Sequence, residues 1–354
     1  MKKAILFIFI TSASIFNKAA FGQQMTATFK GGEKINYKIL EIDPHKAPNM
    51  YVGGGIFFGM RPLSFASFGV NIDGVYHLAE HASFFGSFQT SVGTYFDAIK
   101  EANLNAGDNG ELSYTKNTPA SYSVIELSGA YYFMDKDIEK ERRIVLKSTL
   151  SGRVQTNYVV KTPMKKRRQI GLKVGILFCK NSLNESLSIN EDTLVAASGE
   201  KLVPDFGGQP GHYVTNMHTT IFSIGGVMRT TMRCDMDIEG YGLRRAKGEG
   251  LLYFDLLFGS TSIDNIEIDP ATNPVLAAAY PKSYDVTNSF DISNMGFRFG
   301  YAPRGGMSES LGYGYALELG SMPGVKVPDV VRADGTSPFG NIFFMIRYSL
   351  YFMK

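Results

Sequence analysis

Strict two-residue alternation is the feature that most limits how this chain can fold, and its last fourteen residues, Asn341 to Lys354 (NIFFMIRYSLYFMK), show it plainly. Every second residue from Ile342 is apolar (Ile342, Phe344, Ile346, Tyr348, Leu350, Phe352), whereas the intervening positions mix Asn341, Arg347 and Ser349 with Met and aromatics. Successive side chains of a strand point to opposite faces, so this is a strand that is greasy on one side only. Because it ends the chain and follows a secretory leader, lipid is the better candidate than a protein core to cover the greasy side.

The leader reads from the first residues. Lys2 and Lys3 form a basic start, Ala4 to Ile10 an apolar run, and Ala20-Phe21-Gly22 a small-x-small cleavage site, so residues 1–22 are expected to be a signal peptide and the mature chain to begin at Gln23. The apolar run falls far short of the roughly 20 residues that span a bilayer as a helix. No other segment is long and apolar enough to be a transmembrane helix, and no cysteine near the cleavage site offers a point for lipid attachment.

Composition narrows the class. The chain carries 38 Gly, 26 Phe and 19 Tyr beside only 44% hydrophobic residues and no Trp, with a mean hydropathy of -0.06. A helical membrane protein would be far more apolar, whereas glycine and aromatics at neutral hydropathy suit short strands and turns. The formal charge of +3 is small for the length, and no basic patch is interleaved with stacking aromatics, which excludes nucleic acid as the main partner.

Alternation recurs along the chain. Phe68, Val70, Ile72, Tyr76 and Leu78 share one parity against Ser67, Gly69, Asn71, Asp73 and His77. Ile170 to Phe178 and Leu311 to Leu319 repeat the pattern against Gly, Lys, Ala and Glu. In a soluble sandwich the second face would be rich in Lys, Glu, Thr and Asp; here it is mostly Gly, Ser and Ala with about one charge per strand, as the crowded interior of a membrane barrel requires. Ten strands are expected, over 51–60, 67–78, 82–96, 121–134, 170–179, 219–233, 251–259, 290–301, 311–320 and 342–352. With the first running outward, the long gaps at 97–120, 180–218, 260–289 and 321–341 fall on one side and the short ones on the other.

One gap breaks that rule. Residues 135–169 are long but lie on the short-turn side, and contain two polar strand-like runs, Ile144 to Leu150 and Val154 to Val160, followed by Lys165, Lys166, Arg167 and Arg168. We read a periplasmic hairpin whose basic cluster contacts a partner or lipid; were the runs to cross the membrane, the count would be twelve. The polar stretch 23–50 is read as a periplasmic N-terminal segment, leaving 51–354 for the barrel.

In its leader, dyad alternation, asymmetric loops and aromatic final strand, the chain resembles Gram-negative outer-membrane β-barrel proteins over 51–354. The resemblance implies an all-β, transmembrane, antiparallel up-and-down β-barrel in the outer membrane, in contact with outer-membrane lipid and the barrel-insertion machinery. It makes Tyr348, Leu350 and Phe352 the insertion-signal face, although Met353 and Lys354 follow where such chains commonly close on an aromatic. The class hosts porins, enzymes, adhesins and assembly factors, so it names no function.

Parity turns eight charges inward: Asp73, Glu126, Lys173, Arg229, Asp255, Arg298, Glu318 and Arg347. Opposite signs on neighbouring strands predict pairs Glu126–Lys173, Arg229–Asp255, Asp255–Arg298, Arg298–Glu318 and Glu318–Arg347, a plug rather than the one-sign ring of a selective pore. The five histidines give no paired nucleophile and base, since Ser223 faces away from His218 on the same strand. With two cysteines they give no metal-ligand spacing, and no cofactor is expected. Cys179 and Cys234 are expected at opposite ends of the barrel, both free. Gly53-Gly54-Gly55 lacks the helix and Lys of a phosphate cradle and is read as strand glycine. Gly240-Tyr241-Gly242 is read as a turn, with Arg244 and Arg245 after it. The function expected is a non-catalytic structural or accessory subunit of an outer-membrane assembly or secretion machine, in company with other outer-membrane or periplasmic proteins. The alternatives are a small-solute channel or transporter and, more distantly, a lipid-modifying enzyme.

Overall fold

The computed structural model describes residues 24–28, 34–61, 64–78, 80–92, 122–151, 154–184, 195–196, 214–267, 283–285, 287, 291–306, 310–325 and 342–354. The expected signal peptide and most of the expected long loops lie outside these residues.

Twelve strands carry the architecture. Two short ones come first, β1 (Gln24–Thr28) and β2 (Lys34–Glu41). They are followed by β3 (Met50–Arg61), β4 (Ser64–Leu78), β5 (Ala82–Ser91), β6 (Ser123–Ser151) and β7 (Val154–Asn184). The rest are β8 (Val214–Ile238), β9 (Gly242–Ile263), β10 (Met295–Gly306), β11 (Leu311–Ser321) and β12 (Ile342–Met353). From β3 to β12 each strand pairs antiparallel with the next, and β12 returns to β3 in a register running from Phe344↔Met60 to Met353↔Tyr51, so ten strands form a closed up-and-down barrel. Closure removes every sheet edge from the wall.

The alternation of the sequence becomes two surfaces. On β12, Ile342, Ile346, Tyr348, Leu350 and Phe352 are exposed on the outside while Phe343, Met345, Arg347, Ser349, Tyr351 and Met353 are buried. Val70, Ile72, Leu172, Val174, Phe222, Ile224, Phe254, Leu256, Phe297 and Leu319 extend the outer apolar surface around the wall. Ten residue steps from Ile342 to Phe352 at about 3.3 Å each, tilted about 40°, give a belt roughly 25 Å tall. Outward tyrosines Tyr76, Tyr131, Tyr301, Tyr313 and Tyr315 gather in its short-turn half, and Tyr301 and Tyr315 meet edge to face at 6.4 Å.

The strands overrun the belt at the short-turn end, which the sequence pattern did not delimit. β6 and β7 stay paired in the hairpin from the barrel down to Ser151↔Val154, with register shifts only at Tyr132/Met134 and Val145/Lys147, so the two short runs are the far end of two very long strands rather than extra spans. β8 and β9 likewise continue to a tight turn, where Gly240 (φ 80) and Gly242 (φ 70) adopt the left-handed conformation that side chains resist.

Below the barrel the sheet forks. β7 leaves β8 after Lys166↔Met232, and β2 takes its place from Glu41↔Asp235 to Tyr37↔Ile238. The side of β7 that faces outward in the wall at Leu172 is the side buried at Met164, and β8 makes the same change from outward Phe222 to buried Cys234, Met236 and Ile238. The two branches, β6–β7 and β1–β2–β8–β9, therefore share a second apolar core. It joins Ile35, Tyr37, Ile39 and Ile42 to Met164, Cys234, Met236 and Ile238, with Met25, Tyr158 and Val160 packed against them. The stretch read as a polar N-terminal segment is thus partly core-forming.

Candidate functional site: the bridged lumen

The lumen is layered. At the long-loop end, Phe57, Tyr122, Val124, Leu177, Ile221, Leu257 and Met345 fill the interior as an apolar layer, with Cys179 and Met322 packed against it. The chain after β11 bends inward here; Val325 is buried, and Gly324–Val325 pairs with Ile292–Ser293. A cavity of about 60 Å³ remains between this segment and Tyr122, Met217, Ile221 and Phe343.

Beneath it lies a charged layer centred on Arg298, which is 1% exposed. Its guanidinium donates to both carboxylate oxygens of Glu126 at 2.7 and 2.8 Å, and to Asp255 at 2.7 and 3.2 Å. Lys173 joins the same two acids at 3.1 and 3.0 Å. Arg347 pairs with Glu318 and, at 3.2 Å, with Asp73. Tyr253 donates to Glu318 at 2.6 Å, and its ring lies 4.4 Å from the Lys173 ammonium. Gly300 makes room for that ring, since a Cβ there would stand 2.1 Å from it.

Arg347 reaches Asp73 across β3 because β3 turns glycines inward. A Cβ at Gly55 would sit 1.8 Å from the Tyr348 carbonyl oxygen, and one at Gly53 would sit 2.2 Å from that of Leu350. Over this bare strip Asn71 donates to Ser349 at 2.8 Å, and Ser349 to Asp73 at 2.8 Å. The triple glycine is neither a phosphate cradle nor merely a bend; it lets β4 and β12 join over the strand between them.

A second charged layer lies about four residues, or roughly 13 Å, further toward the short turns. Glu249, 3% exposed, accepts from Arg229 at 3.2 Å and Arg304 at 2.8 Å, and faces His77 Nε2 at 2.9 Å. Gln169 accepts from Arg229 at 3.2 Å. Since an ionised Glu249 can only accept, His77 donates to it through Nε2, and Nδ1 lies 2.7 Å from the Ser83 hydroxyl. The Ser83–His77–Glu249 chain has the residue types of a hydrolytic triad. All three are buried, however, at 1, 4 and 3% exposure, and the hydrogen bonds of the chain knit the wall.

Between the layers a cavity of about 50 Å³ is lined by Asp73, Ser87, Glu126, Ser128, Lys173, Arg304 and Arg347 among others. The upper layer holds one acid more than its bases and the lower layer one base more than its acids, so the two balance across this void. At about 10–15 Å³ per water the void has room for roughly three to five molecules, and it is lined by Ser128, Arg304 and Arg347, whose Oγ, Nε and Nε atoms have no hydrogen-bond partner among the described residues.

The eight charges read from parity all face the lumen, and four of the five expected pairs form. The exception is Arg229 with Asp255. Arg229 stands opposite Leu251 while Asp255 stands opposite Gly225, so the two differ in height by four residues, and Arg229 goes to Glu249. Glu249, Arg304 and His77 were missed as partners because Glu249 and Arg304 fall in stretches read as turns. Their parity, continuing Asp255 and Arg298, was the available signal.

The mouth at the short-turn end is covered. Arg167 bonds Asp135 in bidentate fashion and is buried, while Lys165 and Arg168 are exposed, so the basic cluster splits. The Asp135 carboxyl is held below its usual range by these hydrogen bonds from Arg167. Pro44, at the start of a single 3-10 turn (Pro44–Lys46), is buried beneath the barrel, and its carbonyl accepts from Thr231 at 3.4 Å. Cys234 is fully buried in the second core, where burial pushes its thiol up to about 11; Cys179 is half-buried at the other end, and neither is in a disulfide. His218 meets Asp264 at 3.3 Å on the exposed loop side, while Ser223 is buried in the lumen, so they do not combine. The side chains of Arg244 and Arg245 lie outside the described set. Among the described residues no His, Cys, Asp and Glu group could hold a metal ion. Tyr348, Leu350 and Phe352 line the outer face of β12.

No family model and no curated protein matches the chain. Among solved structures it is similar to outer-membrane expressed OmpT of Vibrio cholerae, at 7% identity over 88% of this chain and 100% of that one, with a TM-score of 0.18. In-vitro folded OmpT, an outer membrane protein of the same organism in its trimer form, aligns at 6% identity over 86% of this chain and 100% of its own, with a TM-score of 0.16. Likeness at this level carries no argument, and function rests on the barrel's own residues.

Proposed function

We propose that this chain is a closed outer-membrane β-barrel that works without catalysis, as a structural or accessory subunit of an outer-membrane assembly or secretion machine. The observation that carries the reading is that the lumen is bridged from wall to wall. His77 on β4 faces Glu249 on β9, five strands away in a ring of ten, and Arg298 on β10 holds Glu126 on β6, four strands away. Charges inside a small barrel must be paired or hydrated, and pairs that span its diameter leave no continuous aqueous path. The apolar outer belt and its tyrosines support a bilayer location. The forked, separately cored region at the short-turn end supports contact with a periplasmic protein.

The test is planar-bilayer recording of the purified barrel. No steady conductance is expected from the natural protein, whereas Arg298→Ala combined with Glu126→Ala should open measurable current. A steady open conductance of the unmodified protein would overturn the plugged-subunit reading in favour of a small-solute channel.

A further inference from the structure

We propose that the outer edge of β6, beyond the barrel, docks an extended segment of another protein that carries Lys or Arg at every second residue. The inference rests on the accessory-subunit reading and names the chemistry of its partner.

The edge follows from the pairing. β5 accompanies β6 only to Ala82↔Tyr131, with a last hydrogen bond from Tyr132 N to the His81 carbonyl at 2.7 Å. From there to Ser151, β6 is paired on its β7 side alone among the described residues. Among the described residues no strand therefore covers this run of backbone N–H and C=O groups, the template that strand addition uses. The hairpin is held in place, because Tyr158, Val160 and Met164 of β7 pack into the second core and Arg167 clamps Asp135 at the hairpin's root. A partner strand would meet an ordered edge, which lowers the entropy lost on docking.

The side chains say which segment fits. Asp137, Glu139 and Glu141 are all exposed on one face of β6 at two-residue spacing, about 6.6 Å apart, and the exposed Arg143 ends this acidic run on the same face. Among the described groups, only Asp137 has a cationic neighbour off the hairpin, His45 Nε2 at 3.3 Å. Across the hairpin, Glu139 and Glu141 stand opposite Lys165 and Pro163 of β7, which leaves the other flank of each carboxylate open. A strand added on that flank places its alternate side chains about 4.5–5.5 Å from these carboxylates, where opposite charges attract and like charges repel. A second copy in one continuous sheet about a perpendicular two-fold axis sets odd-numbered residues against odd-numbered ones, which opposes Asp137 to Glu141 in one register but Glu141 to Arg143 in another, so the oligomeric state belongs to the test.

The experiment uses the full chain refolded in detergent micelles and a fluorescein-labelled nine-residue peptide of alternating Thr and Lys, read by fluorescence anisotropy. The controls are a Thr and Glu peptide, and the Thr and Lys peptide N-methylated at alternate residues. The Thr and Lys peptide is expected to bind at least tenfold tighter than either control, and Glu139→Lys with Glu141→Lys to reverse the charge preference. Equal binding of the two charge patterns, or binding insensitive to N-methylation, would overturn the proposal. So would dimers of the natural chain in light scattering that the double charge reversal abolishes, since a second copy would then own the edge. Bilayer conductance leaves these readouts untouched, so failure of the plugged reading and failure of the docking edge are distinguishable.

Discussion

Replacing Arg298 by Met tests whether the lumen lattice stabilises the barrel or merely fills it. The guanidinium makes four charge-assisted hydrogen bonds, two to Glu126 and two to Asp255, from a position 1% exposed. At about 1.5–3 kcal/mol per bond to a charged group, the gross interaction is roughly 6–12 kcal/mol. Desolvation cancels much of that, and removal of one partner from a buried pair costs about 3–5 kcal/mol because the acids stay behind. Here Lys173 alone would remain within reach of both Glu126 and Asp255. Arg298→Met should therefore lose about 3–5 kcal/mol in urea unfolding from phospholipid vesicles, followed by the mobility of unboiled protein on gels. Adding Glu126→Gln should recover part of the loss, since it removes one of the orphaned charges. Salt should change the natural protein little, because buried pairs are screened far less than exposed ones. A loss below about 1 kcal/mol, the range of exposed ion pairs, would refute the argument and mean that water solvates this layer.

The glycines of the wall divide sharply. Gly55→Ala should abolish the compact unboiled band, because its Cβ would lie 1.8 Å from the Tyr348 carbonyl oxygen, whereas Gly226→Ala, with nothing within 4 Å, should unfold within about 0.5 kcal/mol of the natural chain. At the mouth, Asp135 has its folded pKa depressed by the Arg167 hydrogen bonds, so its contribution is present above the ordinary carboxylate value near 3.9 and is lost as pH falls through the lower folded value. Asp135→Asn should accordingly cost about 1 kcal/mol at neutral pH and progressively less as the pH falls below about 4, in unfolding curves recorded across that window.

What the chain revealed in advance follows from what alternation encodes. Parity assigns a residue to a face, and so it places Asp73, Lys173, Arg298 and Arg347 inside. Parity carries no height, and so Arg229 was matched to Asp255, which lies four residues away along the neighbouring strand. Apolar alternation marks a strand only where one face meets the apolar surroundings of the belt. Once β6, β7, β8 and β9 pass beyond it, their outer faces become charged or pack against each other, and the pattern that had marked them fades. Glu249 of β9 lies there, and Arg304 faces it from the end of β10. The face change at Cys234 and Met164 was equally hidden, because it depends on β2 displacing β7 beside β8, a substitution between segments far apart in the sequence.

The joint over the bare strip of β3 has a consequence for how the molecule comes into being. Asp73 belongs to the second strand of the ring and Arg347 to the tenth, so their bond forms only when almost the whole chain has been laid out. Arg298 and His77 likewise wait for partners four and five strands distant. Hairpins can assemble from neighbours early, but these contacts are among the most non-local a chain of this length can make, and such contacts arrive late and slowly. Until then the future interior carries unmatched charges that must stay in water, although the opposite faces of the same strands are apolar. The ring is therefore obliged to remain open, wet and lopsided until β12 seats against β3, and the same seating that ends the wall drains it.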